Sequence, residues 1–299
     1  MPKLPPQVID SVFYLYRTPE DAAAGKNAGG TGFFVAMPSR HPNQVFLYAV
    51  SNWHVVRHRT GASVIRVNKN SGGTDSIALD PSEWHCRPQH HDLAVALVSL
   101  SLKVHKVKPL HQNMLVTKKM LKDLHIGPGE DTFMVGHFAD HPGVVENVPA
   151  IRFGHISTMP QPIPQETGAK DLSSFIIDTH SRTGYSGSPV FVYRTIGSDL
   201  TPREAALNLG PDSTFLALLG IHWGQFPEMW EIKSGTAPVP QGIEVERDSQ
   251  WVRGMSGMTM VIPAWDILEL LESEVLRAQR KASDDFVEQQ NRPDTSADS

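Results

Sequence analysis

Apolar residues in this chain fall in short runs broken by Gly, Pro, Asn, Asp and Ser, and the runs are rich in β-branched and aromatic side chains. That pattern predicts strands. In the first part of the chain they are expected at 11–16, 32–37, 44–51, 63–68, 76–79 and 92–97. No helical stretch of about ten residues lies between them to carry a parallel crossover, so antiparallel pairing is expected. The run from Val45 to Val50 is apolar throughout. It reads as a strand buried on both faces, although periodicity alone leaves a short helix open there. A second set of strands is expected at 131–136, 150–156, 173–179, 188–193, 214–222 and 258–262. Between the sets lies a Lys- and His-containing connection with the turn Gly127-Pro128-Gly129 and a short helix around 117–124. Pro263 opens a stretch whose Ile267, Leu268, Leu271 and Val275 lie at helical spacing, which predicts a C-terminal helix packed on the core. Past residue 280 the chain is charged and poor in apolar residues and is expected to be disordered.

The expected organisation is an N-terminal extension (1–10), a first strand unit (11–105), a connection (106–130), a second strand unit (131–262), a helix (263–280) and a tail (281–299). With 299 residues, 40% of them hydrophobic, the chain has ample material for a core. A net charge of −5 gives no bulk drive towards nucleic acid or an anionic membrane. The single Cys86 forbids an intrachain disulfide, and the start of the chain lacks the basic segment, apolar run and cleavage site of a secretory signal. No apolar run approaches the roughly 18–20 residues that span a bilayer. A soluble cytoplasmic protein without nucleic-acid or membrane partners is expected.

The candidate chemistry centres on Arg182-Thr183-Gly184-Tyr185-Ser186-Gly187-Ser188-Pro189, which sets a hydroxyl on a glycine-flanked turn ahead of an apolar strand. A serine there is inert without a base, a group to orient the base and donors for a developing oxyanion. Upstream stand Asn52-Trp53-His54-Val55-Val56 and His90-His91-Asp92-Leu93-Ala94. The order histidine, acid, serine differs from the serine, acid, histidine order of α/β-hydrolases, and Ser188 occupies the last glycine position of a hydrolase elbow.

Four ordered motifs resemble those of trypsin-like (chymotrypsin-fold) serine peptidases of the disulfide-free bacterial kind: Gly30-Thr31-Gly32-Phe33, the His54 segment, His91-Asp92-Leu93-Ala94, and Gly184 to Pro189. A fifth, Gly220-Ile221-His222-Trp223-Gly224, stands where that family pairs a strand with substrate. The resemblance implies an all-β fold of two six-stranded antiparallel β-barrels with a C-terminal α-helix. It also implies a serine endopeptidase working through an acyl-enzyme on protein or peptide substrates. His54 would be the general base, Asp92 its orienting acid and Ser186 the nucleophile, with the N–H groups of Gly184 and Ser186 as the oxyanion hole. By the same resemblance, His180 would stand at the base of the specificity pocket, with His222, Trp223 and Gly224 as its walls. Two positions depart from the family. Tyr185 replaces the aspartate used in N-terminal activation, and Ser188 replaces a glycine.

Two long segments, 195–213 and 225–257, are extra to a minimal member. The second leaves the expected substrate strand and is expected to line or cover subsites. Although the chain has fourteen histidines, His85-Cys86 and His90-His91 match no Cys-x-x-Cys or His-Glu-x-x-His pattern, so no metal is expected. Gly30-Thr31-Gly32 and Gly25-Lys26 lack the rest of a dinucleotide or phosphate loop, so no cofactor is expected either. Two alternatives stay open: a catalytically silent scaffold of the same fold that binds peptides, and a protease held off until a regulatory protein partner orders the Gly184 loop.

Overall fold

A computed structural model of the chain describes residues 4–58, 60–86, 92–138, 143–163, 172–179, 184–194, 215–231, 244–245 and 251–290. The apolar runs of the first part become β1 (Val12–Tyr16), β2 (Gly30–Pro38), β3 (Val45–Ser51), β4 (Val64–Asn68), β5 (Thr74–Ala78), β6 (His85–Cys86), β7 (Ala94–Val98) and β8 (Leu110–His111). They form one sheet in the order β5-β4-β1-β2-β3-β7-β6, with β8 added parallel to β2. The other pairings are antiparallel, and β3 lies between β2 and β7, opposing Val50 to Phe33 on one side and to Val95 on the other. Tyr48 and Val50 on one face and Leu47 and Ala49 on the other each pack into a core cluster, which explains the apolar run there.

The second sheet comprises β9 (Asp131–Gly136), β10 (Ala150–Ile163), β11 (Leu172–Asp178), β12 (Pro189–Arg194), β13 (Phe215–Glu231), β14 (Glu244–Val245) and β15 (Trp251–Pro263). Its order is β11-β10-β9-β12-β13-β15-β14, and a further pairing of β11 with β15 links the two ends of the six-strand run. The sheets thus differ from the expected pair of six-stranded barrels. The first has eight strands with no pairing that closes it among the described residues, and the second carries β14 outside its ring.

Three strands are longer than their apolar runs suggest. β10 continues past Pro160 and Pro162 through two register shifts, and β13 passes Pro227 beside another. Proline is tolerated in a strand at a bulge or edge, where no ladder hydrogen bond is lost. The expected excursion at 225–257 is therefore, over its described residues, mainly a hairpin of β13 and β15 with β14 alongside. The other segment, 195–213, lies outside the described residues.

The core has a centre in each sheet and one at their junction. Phe13, Phe34, Ile65 and Trp84 pack within the first sheet, and Met134, Phe175, Val190 and Leu219 within the second. Tyr14, Val35, Phe133, Phe191, Ile221 and Ile262 join the two. Phe133 and Phe191 stack with ring centroids 5.0 Å apart. Full burial of a phenylalanine stabilises by roughly 1.5–3 kcal/mol.

A polar clamp supplements this junction. Arg66 on β4 is 1% exposed and donates to the Gly143 carbonyl at 3.2 Å, the Asn147 side chain at 2.9 Å, the Val144 carbonyl at 2.7 Å and the Thr74 hydroxyl at 3.3 Å. Neutral oxygens therefore solvate this buried charge and bind the 143–147 loop of the second half to the first.

Two helices follow β15, Ala264–Leu271 and Glu274–Gln290. The first buries Ile267, Leu270 and Leu271 against the junction core. The second corrects the expected disordered tail over 281–290. Asp284 there accepts from the Ser39 hydroxyl at 2.6 Å and the Arg40 side chain at 3.3 Å, while Arg280 donates to the Leu271 carbonyl at 2.7 Å. A polar segment orders here because the turn after β2 satisfies its buried carboxylate, a partner that local composition does not reveal. Among the described residues no helix is long and apolar enough to cross a membrane.

Candidate active site

β3 ends at Ser51, and the chain turns through Asn52 and Trp53 into the helical turn His54–His58. Asp92 sits just before β7, the strand that pairs with β3 and opposes Ala94 to Ser51. Strand pairing therefore brings two residues far apart in sequence together. His54 Nδ1 lies 2.5 Å from Asp92 Oδ2, and the His54 backbone N–H donates to Oδ1 at 2.9 Å. The Asp92 carbonyl accepts from the Asn52 side chain at 3.0 Å. At 8% exposure the carboxylate is nearly out of water, and both its oxygens are committed to one histidine.

Ser186 arrives from the second sheet on the turn before β12. Gly184 and Gly187 take φ of +99° and +87°, a region that an L side chain rarely adopts, so the turn requires them. A side chain on Gly187 would also meet the Thr31 carbonyl at 2.0 Å. The turn is pinned on both flanks. Thr31 N–H donates to the Ser186 carbonyl at 2.8 Å, Gly187 N–H to the His222 carbonyl at 3.0 Å, and Ser188 N–H to the Tyr185 carbonyl at 2.9 Å. Gly30 offers no side chain to hold neighbours apart. The Ser186 carbonyl and the side chain of Val55, the residue after His54, both come within about 3 Å of where its Cβ would be. The serine turn thus packs on the same strand as the His54 turn.

The expected substrate residues His222, Trp223 and Gly224 follow one another on β13, where the His222 backbone bonds to Gly187 and Ser188 of the serine turn. His222 on β13 is 3% exposed, and its ring is held by the Tyr185 backbone, which leaves the imidazole no face for substrate. Burial, then the charge of nearby His54, holds it down to about 3. Trp223 is half-buried and donates to the Ser174 hydroxyl at 3.0 Å; Gly224 follows it on the strand. His180 lies outside the described residues, as do His90 and His91. Cys86 is a poor rival nucleophile, since burial pushes its thiol up to about 11.

The profile of the trypsin-like peptidase domain family matches residues 30–195, more than half of the chain. The chain belongs to the trypsin-like peptidase family. No curated protein matches it in sequence. Among solved structures, this trypsin-like peptidase is similar to the MamO protease domain from Magnetospirillum magneticum, at 13% identity and a TM-score of 0.50, over 89% of this chain and 98% of that one. It is also similar to the HtrA-type protease AlgW with a tripeptide, at 16% identity and a TM-score of 0.47, over 90% of this chain and 61% of that one. A third is the Rv3671c protease of M. tuberculosis in an inactive form, at 14% identity and a TM-score of 0.45, over 88% of each chain. The first likeness, with the strand order above, gives the trypsin-like peptidase a mostly β, chymotrypsin-like fold with C-terminal helices.

Two residues beside the site carried no distinct signal in the sequence. Thr31 was visible only as the middle of Gly-Thr-Gly, and His137 only as one of many histidines. His137 is 3% exposed, lies 4.6 Å from the Tyr14 ring edge-on, and has no hydrogen-bond partner for either ring nitrogen among the described residues. Burial, with a smaller push from the Arg66 charge, holds it down to about 4.

This depression has a consequence for stability. His137 and His222 are neutral in the fold near pH 7, and their folded values lie below the ordinary 6.5. Their contribution is complete above about pH 6.5 and is lost as the pH falls towards 4 and then 3, because the unfolded chain takes up protons first. The denaturation midpoint is expected to fall over that window, and His137→Phe is expected to make the fall shallower. An unchanged slope in equilibrium denaturation at stepped pH would count against the assignment.

Proposed function

We propose that this trypsin-like peptidase is a serine endopeptidase in which His54, Asp92 and Ser186 act together. The observation that carries the reading is the buried Asp92 carboxylate gripping His54 at Nδ1 and at the backbone, beside a glycine turn that presents Ser186 on the same strand. With Nδ1–H committed to Asp92, His54 Nε2 is the free base. It takes the Ser186 proton as Oγ attacks the substrate carbonyl, then returns that proton to the departing amine, leaving an acyl-enzyme. Water, deprotonated by the same nitrogen, releases the acid and restores Ser186. The Gly184 and Ser186 N–H groups face the developing oxyanion, a contribution worth about 10²–10³ in turnover per donor. A fluorophosphonate probe tests this: it labels the wild type and leaves Ser186→Ala unlabelled. Labelling that appears only after a cognate protein is added favours the partner-regulated form, and labelling of both proteins sinks the assignment.

Substrate is read as an extended peptide added beside β13. β12 leaves this strand at Ile221, opposite Pro189, and the serine turn takes both backbone groups of His222, through the Ser188 carbonyl and the Gly187 N–H; beyond that, β15 is the strand that pairs with β13 among the described residues. A strand edge with no neighbouring strand is a template for a peptide strand. Further along, Met229 and Met255 share one face, because Met255 opposes Pro227 two residues before Met229, and they are 49% and 54% exposed. We assign these methionines to apolar side chains well upstream of the cleaved bond. Replacing both with glutamate is expected to lower kcat/KM about tenfold for a peptide long enough to reach them, consistent with losing one to two kcal/mol of apolar contact. A short peptide ending near Gly224 should be cut at the wild-type rate. Equal losses for both peptides would remove the assignment.

A further inference from the structure

We propose that Thr31 is a positioning residue for the oxyanion donors, its hydroxyl fixing the Gly184 peptide from the opposite sheet. This rests on the reading that Gly184 and Ser186 supply those donors. Thr31 is 0% exposed and every polar group it has is engaged. Its N–H holds the Ser186 carbonyl at 2.8 Å and its carbonyl accepts from the Ser51 hydroxyl at 2.7 Å. Its hydroxyl donates to the Gly184 carbonyl at 2.7 Å and accepts from the His137 backbone N–H at 3.0 Å.

One residue of β2 therefore grips the turn on both sides of Tyr185, at the carbonyls of both donor residues. Each carbonyl lies in the peptide plane that follows its residue, so holding it limits the turn of that residue's own N–H through the Cα–C bond rather than fixing the N–H directly. The Gly184 carbonyl, once held, opposes rotation about the Cα–C bond of a residue that otherwise moves freely. Its N–H direction then depends on the preceding bond alone. On the far side the His137 ring forms a floor, with Nδ1 2.5 Å from where a Gly184 Cβ would sit. Glycine freedom at this turn is thus restrained by a hydroxyl that lies 153 positions away in sequence.

Backbone pairing would survive without the hydroxyl, since Thr31 N–H and carbonyl stay in place. Thr31→Val keeps the shape and strand preference while removing donor and acceptor, and Thr31→Ser restores both. The expected result is a kcat for Thr31→Val lower by about 10- to 100-fold, below the loss from deleting a donor outright, with KM within about twofold and Thr31→Ser close to wild type. A purely structural role would instead lower the amount of folded enzyme and leave kcat per labelled site unchanged. Wild-type kcat in Thr31→Val, or equal losses in the valine and serine variants, would overturn the proposal. If the wild type shows no Ser186-dependent turnover, the peptidase reading fails by itself. Hydrogen exchange then decides the role of Thr31. The amides of 184–188 are expected to exchange faster in Thr31→Val and at the wild-type rate in Thr31→Ser, with β4 and β5 unchanged. No acceleration in the valine variant overturns it there too.

Discussion

Ser186→Ala is expected to lower peptide hydrolysis by about 10⁴- to 10⁶-fold, as removal of the attacking atom does in enzymes whose nucleophile and base act as a unit. What remains is hydrolysis assisted by binding and by the oxyanion donors, and these are backbone groups that the substitution leaves in place. The contacts of Ser186 named above run through its carbonyl, which Thr31 holds, so the variant should fold as the wild type does. An unchanged melting temperature together with the lost turnover separates chemistry from stability. Retention of even a tenth of the activity would mean that another group attacks, and His54 and Asp92 would need a different explanation.

Asp92→Asn is expected to cost about 10⁴-fold in kcat with little change in KM. The reason lies in how both carboxylate oxygens are used. One accepts the His54 backbone N–H and the other the ring Nδ1–H, so the site presents two donors to one side chain. An amide can accept only on one side. If its NH2 group faces Nδ1, that nitrogen becomes the acceptor, the proton moves to Nε2, and the base that should face Ser186 is blocked. If it faces the backbone N–H instead, two donors collide and the His54 turn must shift. A double variant of Asp92→Asn with Ser186→Ala should be hardly worse than Ser186→Ala alone, since residues acting as a unit are not additive. Multiplying losses would show that Asp92 acts on something else.

The parts that were legible in the sequence share a local cause. Apolar runs mark strands because a strand must bury a face, and in the run at Val45–Val50 both faces are covered from Leu47 to Val50, while Val45 at its start is exposed. The candidate site was read from the order of the short motifs that hold His54, Asp92 and Ser186, and strand pairing joins the first two of these side chains. The rest depended on partners distant in the chain. β13 extends past Pro227 because it pairs with β15, and the helix through Asp284 is held by Ser39 and Arg40. Thr31 belongs with these, for a hydroxyl between two glycines does not announce which carbonyl it will meet.

The final helix starts beside the second sheet and ends bound to the turn after β2 in the first. Besides the 106–130 connection, this return and the Arg66 clamp therefore tie the two halves together. A cut anywhere in that connection would leave the His54 half and the Ser186 half fastened to each other.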